Sequence, residues 1–255
     1  MNMEPRRATG LVLRLNPVGE SDLLVDIFTA EMGRMASLAK GAKRSQKRFF
    51  GILLAANSLN LNLAPLKKGS DLWRLEAASM HRAHPGLGRD YRRWLGAGPV
   101  LELLLRATAL QDPHPQALDL ALMTLARLEQ AKELREIISA VLIFLARLLT
   151  ILGYGLNLSS CISCGRPALE SVTARLSLAG GLTCGRCQQG RFEVEVSPGL
   201  IKGLEAAATL DLPALGRLFF SQASLKPGLA FLHRFWQETA GHDLPSLGLL
   251  KRLLA

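Results

Sequence analysis

The sequence contains no apolar run longer than the seven residues from 140 to 146, far short of the ~20 a helix needs to cross a bilayer. No long apolar stretch follows Arg6 and Arg7, so no export signal is expected and the expected compartment is the cytoplasm. Aromatic residues are scarce, at 5 %, which argues against a surface built mainly on stacking. Acidic residues are in deficit, 21 against 31 Lys and Arg, for a net charge of +10. Charged residues are few enough (20 %), and hydrophobic ones abundant enough (49 %), to exclude wholesale disorder. A chain of 255 residues can bury roughly 70–75 % of its surface and needs no disulfides.

Catalytic constellations are also lacking. No Gly-rich phosphate loop, HExxH or GxSxG is present. His81 and His84 read as surface residues at a domain join, and His114 sits between Pro113 and Pro115. His233 and His242 come late, with Asp243 beside His242. Glu20 and Asp22 flank a strand, where turn and cap roles suit them better than metal binding. The expectation is a protein that is not an enzyme.

What is present is positive charge, which favours a polyanionic partner such as nucleic acid or anionic lipid. Residues 34–48 carry Arg34, Lys40, Lys43, Arg44, Lys47 and Arg48 with no acidic residue, and Phe49 and Phe50 follow. One reading is a single-stranded nucleic-acid groove in which the charges meet phosphates and a ring takes a base. The other is a solvated turn with both Phe side chains in the core.

The first 80 residues read as strands: Thr9 to Asn16, Leu23 to Thr29, Met35 to Ala39, Ile52 to Leu63 and Leu72 to Leu75, with a hairpin turn at Gly33. Five short strands suggest a small antiparallel barrel. Helical periodicity takes over after residue 85. Its clearest stripe is Leu134, Ile137, Ile138, Val141, Leu142, Leu145, Leu148 and Leu149. The opposite face is largely apolar as well, so this helix is expected at the centre of a bundle. Further stripes follow Pro198, Pro213, Lys226 and Leu247. The expected class is α+β, with a barrel over 1–80, a helical domain over 81–255 and an insert over 157–195.

All four cysteines fall in that insert, as Cys161-Ile-Ser-Cys164 and Cys184-Gly-Arg-Cys187. Two CxxC pairs nineteen residues apart have the spacing of a four-thiolate zinc site, closed and therefore structural. Disulfides, thiol redox and an iron–sulfur cluster compete, and zinc is favoured. Zinc with four thiolates carries −2, so the basic excess survives metallation. Arg166, Arg175, Arg186 and Arg191 make the insert locally basic against Glu170, Glu193 and Glu195.

These segments together resemble the RecO family of bacterial DNA repair and recombination mediators. The resemblance is carried by Gly10-Leu11-Val12-Leu13-Arg14, Gly19-Glu20-Ser21-Asp22-Leu23-Leu24, Phe28-Thr29, Gly33 and Lys40-Gly41-Ala42-Lys43-Arg44 with Lys47-Arg48-Phe49. It continues through Leu152-Gly153-Tyr154, Leu158, Cys161–Gly165 and Gly180–Cys187. The chain departs from the family pattern at Asn57–Leu61, and at Ser246-Leu247 after Gly241–Pro245.

The resemblance implies an OB-fold, a helical domain and a four-cysteine zinc element. It implies binding of single- and double-stranded DNA, and annealing of strands coated with single-strand-binding protein. It further implies partnership with RecR, sometimes RecF, in loading RecA; a membrane is not implied. Some relatives lack the cysteines, so zinc is not required for the general activity. The expected DNA contacts are Arg14, Arg34, Lys40, Lys43, Arg44, Lys47 and Arg48, then Lys67, Lys68 and Arg74. The alternative is a protein-interaction adaptor that takes an acidic tail along a helix from Arg127 to Leu149 edged by Lys132 and Arg135.

Overall fold

The computed structural model describes residues 5–67, 71–167, 174–187 and 193–254. It divides into two compact units, Met1–Arg89 with Leu101–Glu129, and Asp90–Val100 with Gln130–Ala255.

The first unit is built on a closed barrel. Strands β1 (Arg6–Val18), β2 (Asp22–Thr29), β3 (Gly33–Ala39), β4 (Ser58–Pro65) and β5 (Leu72–Arg82) follow the order β1-β2-β3-β5-β4, and β1 pairs with both β2 and β4. Every pairing is antiparallel except β3 with β5. This is the closed five-stranded arrangement of an OB-fold, and it leaves no free sheet edge. Alternation directs Val25, Ile27, Met35, Ala39, Leu59, Leu61, Leu63, Trp73 and Leu75 into one interior cluster. At Gly10, a Cβ would come within 2.6 Å of Ile27 Cγ2, so β1 needs glycine at that point.

The strands differ from expectation at their ends. β1 runs through Pro17, which pairs with Leu23. The apolar stretch 52–56 is not strand: it folds as turns, with Ala56 at φ 70°, and β4 begins only at Ser58. Leu53 and Ala56 are apolar because they are buried beside the barrel. β5 continues to Arg82 through an exposed end that carries no apolar alternation.

Leu11 and Phe28, paired on the face opposite the interior cluster, and Leu13 at the bulge of β1 are buried nonetheless. The first unit also includes Leu101–Glu129. That segment is tied to β3: Arg34 Nε donates to the Thr108 carbonyl at 3.0 Å, and the Gln111 N–H donates to the Arg34 carbonyl at 2.9 Å. The β2–β3 hairpin turns at Gly33, φ 64°, where any Cβ would overlap the Asp112 carbonyl. Helix α1 (Tyr91–Ala107) contains Pro99, and α2 (Pro115–Gln130) follows. His84 is buried rather than exposed: its Nδ1 is 3.0 Å from Glu129 Oε2, and the Gly86 N–H donates to Glu129 Oε1 at 2.9 Å.

In the second unit, α3 (Leu134–Ile151) packs against α4 (Pro198–Thr209) and α6 (Gln222–Ala240). Its twelve buried residues lie all round the helix, as its two apolar faces predict. Glu133 and Glu136 form a reciprocal capping box at its start. A Cβ on Gly228 of α6 would stand 3.0 Å from Leu200 and 3.3 Å from Leu142, so the missing side chain lets three helices approach. The short α5 (Leu212–Leu215) precedes α6, and α7 (Pro245–Lys251) follows it. Asp243 bonds His233, not its neighbour His242: Oδ1 is 2.6 Å from His233 Nε2, while His242 stacks on Trp236. Among the described residues, no helix is long and apolar enough to cross a membrane.

Between α3 and α4 lies a four-stranded sheet that the cysteine spacing alone does not predict. It comprises β6 (Asn157–Cys161), β7 (Ala174–Ser177), β8 (Gly181–Cys184) and β9 (Glu193–Glu195), ordered β6-β8-β7-β9.

Candidate nucleic-acid interface and metal centre

The basic segment is the β3–β4 connection, and it is folded. Gly41, φ 66°, turns the chain out of β3 into a short 3-10 turn, Ala42–Arg44. Ala42 is buried against the barrel, so Lys43 and Arg44 are displayed. The β1–β2 turn clamps this segment. Asp22 Oδ1 accepts the Gly41 N–H at 2.8 Å, and the Lys43 N–H donates to the Ser21 carbonyl at 2.9 Å. The Gly41 N–H, then the Ser21 hydroxyl, hold the Asp22 carboxyl below its ordinary value. Asp22 thus has a capping role, as expected.

The six cations of residues 34–48 do not form one cluster. Lys40, Lys43, Arg44, Lys47 and Arg48 are all exposed on the connection. Arg34 stands at the other end of β3, about 20 Å away at the usual strand rise, with its guanidinium on Thr108. Arg14 is also set apart, paired at 2.9 Å with the nearly buried carboxylate of Asp26. Within the connection, Lys43 Nζ donates to the Gly19 carbonyl at 2.8 Å and Arg44 pairs with Glu20 at 3.2 Å. Both contacts are exposed, and water and salt weaken such pairs. Arg48 donates to the Lys40 carbonyl at 3.0 Å and lies over the Phe49 ring, 5.1 Å from its centroid. Lys40 adds a favourable charge beside Asp22.

The two Phe residues part company. Phe49 is a core residue, 3 % exposed, whereas Phe50 is 74 % exposed. Sequence alone cannot separate two adjacent rings in a turn; the geometry of the turn does. Of the secondary candidates, Lys67 is exposed and Arg74 pairs with Glu76 at 2.8 Å. Lys68 lies outside the described residues, as do Glu170 and Arg191 of the insert.

The expected long helix over 127–149 is broken, because α2 ends at Gln130 and α3 starts at Leu134. Arg135 donates to the Phe220 carbonyl at 2.9 Å. The groove edge expected for an acidic tail is therefore not formed by one continuous helix.

The four cysteines converge. All four Sγ atoms lie within 4.8 Å of one another, and Cys164 and Cys184 are 3.7 Å apart. Four sulfurs at ~2.3 Å from a tetrahedral ion stand about 3.8 Å apart, so the donor set fits such an ion. Gly165, φ 72°, closes the first CxxC turn, and its N–H donates to the Cys161 carbonyl at 2.9 Å. β8 delivers Cys184, whose N–H points at Cys161 Sγ, 3.4 Å away.

Two of the four thiols, Cys161 and Cys184, already favour negative charge. Burial alone would raise Cys161, but the N–H groups of Cys184, Ser163 and Cys164 outweigh it and bring it down to about 6. The Arg186 N–H lowers Cys184 in the same way. Cys187 is pushed up to about 12, its proton held between the Cys164 and Cys184 sulfurs. Four adjacent sulfurs cannot all ionise unless a cation balances them.

Comparison with known proteins agrees with both halves of the chain. Residues 3–84 match the family description "Recombination protein O N terminal", and residues 88–248 match "Recombination protein O C terminal". The DNA repair protein RecO of Geobacter metallireducens is 32 % identical over 98 % of this chain and 99 % of its own. That of Anaeromyxobacter dehalogenans (strain 2CP-C) is 32 % identical over 74 % of this chain and 72 % of its own. That of Desulfatibacillum aliphaticivorans is 26 % identical over 98 % of both.

Proposed function

The chain belongs to the recombination protein O family, whose members act in DNA repair, and from that premise we propose that it binds single- and double-stranded DNA and anneals complementary strands. The observation that carries this reading is the β3–β4 connection, where five exposed cations stand on a segment clamped to the end of an OB barrel. Two complementary strands repel each other through their phosphates. A fixed basic surface screens that repulsion, and base pairing supplies the driving force. No bond is made or broken by the protein, so the activity is not enzymatic and needs no nucleotide hydrolysis. Contacts to phosphate carry no sequence information, so preference among sequences is small.

Four thiolates fill a tetrahedral zinc ion and leave no open position. The proposed zinc is accordingly structural: Cys161, Cys164, Cys184 and Cys187 cross-link the small sheet. As partners we propose RecR and single-strand-binding protein, with RecF and RecA engaged through them, in the cytoplasm.

The test is titration of the purified chain with labelled single-stranded DNA, followed by annealing of complementary oligonucleotides without ATP or divalent metal. Annealing well above the spontaneous rate supports the reading. Annealing that required ATP hydrolysis by homogeneous protein, or the absence of DNA binding, would refute it.

A further inference from the structure

We propose that Phe50 is a base-stacking residue that makes the basic connection prefer unpaired strands over duplex. The proposal rests on the DNA-binding reading of that connection. Phe50 is the most exposed large hydrophobic side chain among the described residues.

The ring is displayed by the fold on both sides and does not hang on a loose tail. Before it, Phe49 is sunk in the barrel core and its N–H donates to the Ser45 hydroxyl at 3.1 Å. After it, Gly51 at φ 69° reverses the chain, the Ile52 N–H returns to the Phe49 carbonyl at 3.3 Å, and Leu53 is buried. Asn57 Nδ2 fastens the same turn to the Ile52 carbonyl at 3.0 Å. With neighbours fixed in this way, Phe50 cannot turn into the core. Leu54, 57 % exposed, adds a second apolar side chain on the same turn.

An exposed ring of this kind fits a partner that is apolar on one face and anionic along its length, because Lys43, Arg44, Lys47 and Arg48 precede it within seven residues. An unpaired nucleotide meets both conditions. Its base presents a π-face to the ring while its phosphates meet the cations. A paired base is already stacked within the duplex and offers the ring no free face. The cations, by contrast, act on phosphates of either form. The charges therefore set general affinity and Phe50 sets the ratio between single strand and duplex.

The test uses the full chain with two substitutions, Phe50→Ala and Phe50→Trp, beside a variant neutralised at Lys43, Arg44, Lys47 and Arg48. Binding is measured to a labelled oligothymidylate and to a labelled duplex of equal length, with folding checked by circular dichroism. Phe50→Ala should weaken oligothymidylate binding by about 5- to 150-fold, the loss of roughly one stacked base. It should leave the salt slope unchanged and duplex affinity within about twofold. Phe50→Trp should retain affinity. It should also add an emission component, over that of Trp73, Trp94 and Trp236, which oligothymidylate quenches and duplex does not.

Three results would overturn the proposal: oligothymidylate affinity within twofold after Phe50→Ala, equal loss for single strand and duplex, or no quenching of the added indole. If the neutralised variant loses DNA while Phe50→Ala does not, only the stacking proposal falls. If neither variant loses affinity, the connection is not the DNA site and both readings fall.

Discussion

Asp22 at the start of β2 and Gly41 just beyond β3 are joined by one hydrogen bond, carboxylate to N–H, at 2.8 Å. The bond is stronger to the ionised acid, and it lowers the Asp22 carboxyl below its ordinary 3.8. A carboxyl depressed on folding contributes stability above its unfolded value, and loses it as pH falls through the folded value. The clamp should therefore hold at neutral pH and release only below about pH 4. Protection of the Gly41 and Lys43 amides, taken relative to the intrinsic exchange rate at each pH, should be high at pH 7 and fall in that acid window. Asp22→Ala, which removes the acceptor, should show low protection already at pH 7; unchanged protection would mean that the clamp does not order the connection.

Salt dependence should report the five connection cations. If all five meet single-stranded phosphates, log affinity falls against log salt with a slope of about −3.5, a loss of about 100-fold between about 50 and 200 mM. Neutralising Lys43, Arg44, Lys47 and Arg48 should flatten the slope by up to about 3 and weaken different sequences alike. Equal slopes in wild type and variant would return these residues to a solvated turn.

Arg34 should behave differently. Its guanidinium holds the chain that follows α1 through the Thr108 carbonyl. Arg34→Ala should cost about 1–2 kcal/mol in denaturant unfolding and leave the DNA salt slope as it was. A slope flattened by about 0.7, the value of one phosphate contact, would place Arg34 in the interface instead.

Metal analysis of protein purified without chelator should find about one zinc per chain. Cys184→Ser should abolish retention and unfold the small sheet of β6–β9, while the barrel and its single-stranded DNA affinity persist. Iron with sulfide, or no stoichiometric metal, would refute the zinc assignment.

Much of the barrel is legible in the sequence because its interior alternates cleanly, as in Leu59, Leu61 and Leu63. Periodicity fails where apolar residues serve something other than a strand. The stretch 52–56 is as apolar as β4, yet it is a run of turns in which Leu53 and Ala56, three residues apart, are buried. At α1 periodicity shows only the second half, through Leu101, Leu104 and Leu105, because Gly96, Gly98 and Pro99 hide the first. The cysteines announce their own cluster, since spacing alone brings CxxC thiols together. The sheet that carries them stays hidden because its strands are three to five residues long. Charge is legible as a sum but not as an arrangement. Nothing in the sequence pairs Glu20 with Arg44, hands Arg34 to Thr108, or sends Phe49 inward and Phe50 outward.

The chain passes from the first unit to the second after Arg89, returns after Val100 and leaves again after Glu129. No single cut frees either unit whole. A fragment ending at Arg89 keeps all five strands but loses Thr108 and Gln111, which bond Arg34 of β3. The barrel is therefore not a cassette that can be lifted out and grafted. A minimal version needs residues 101–129 supplied in trans or joined by a permuted chain.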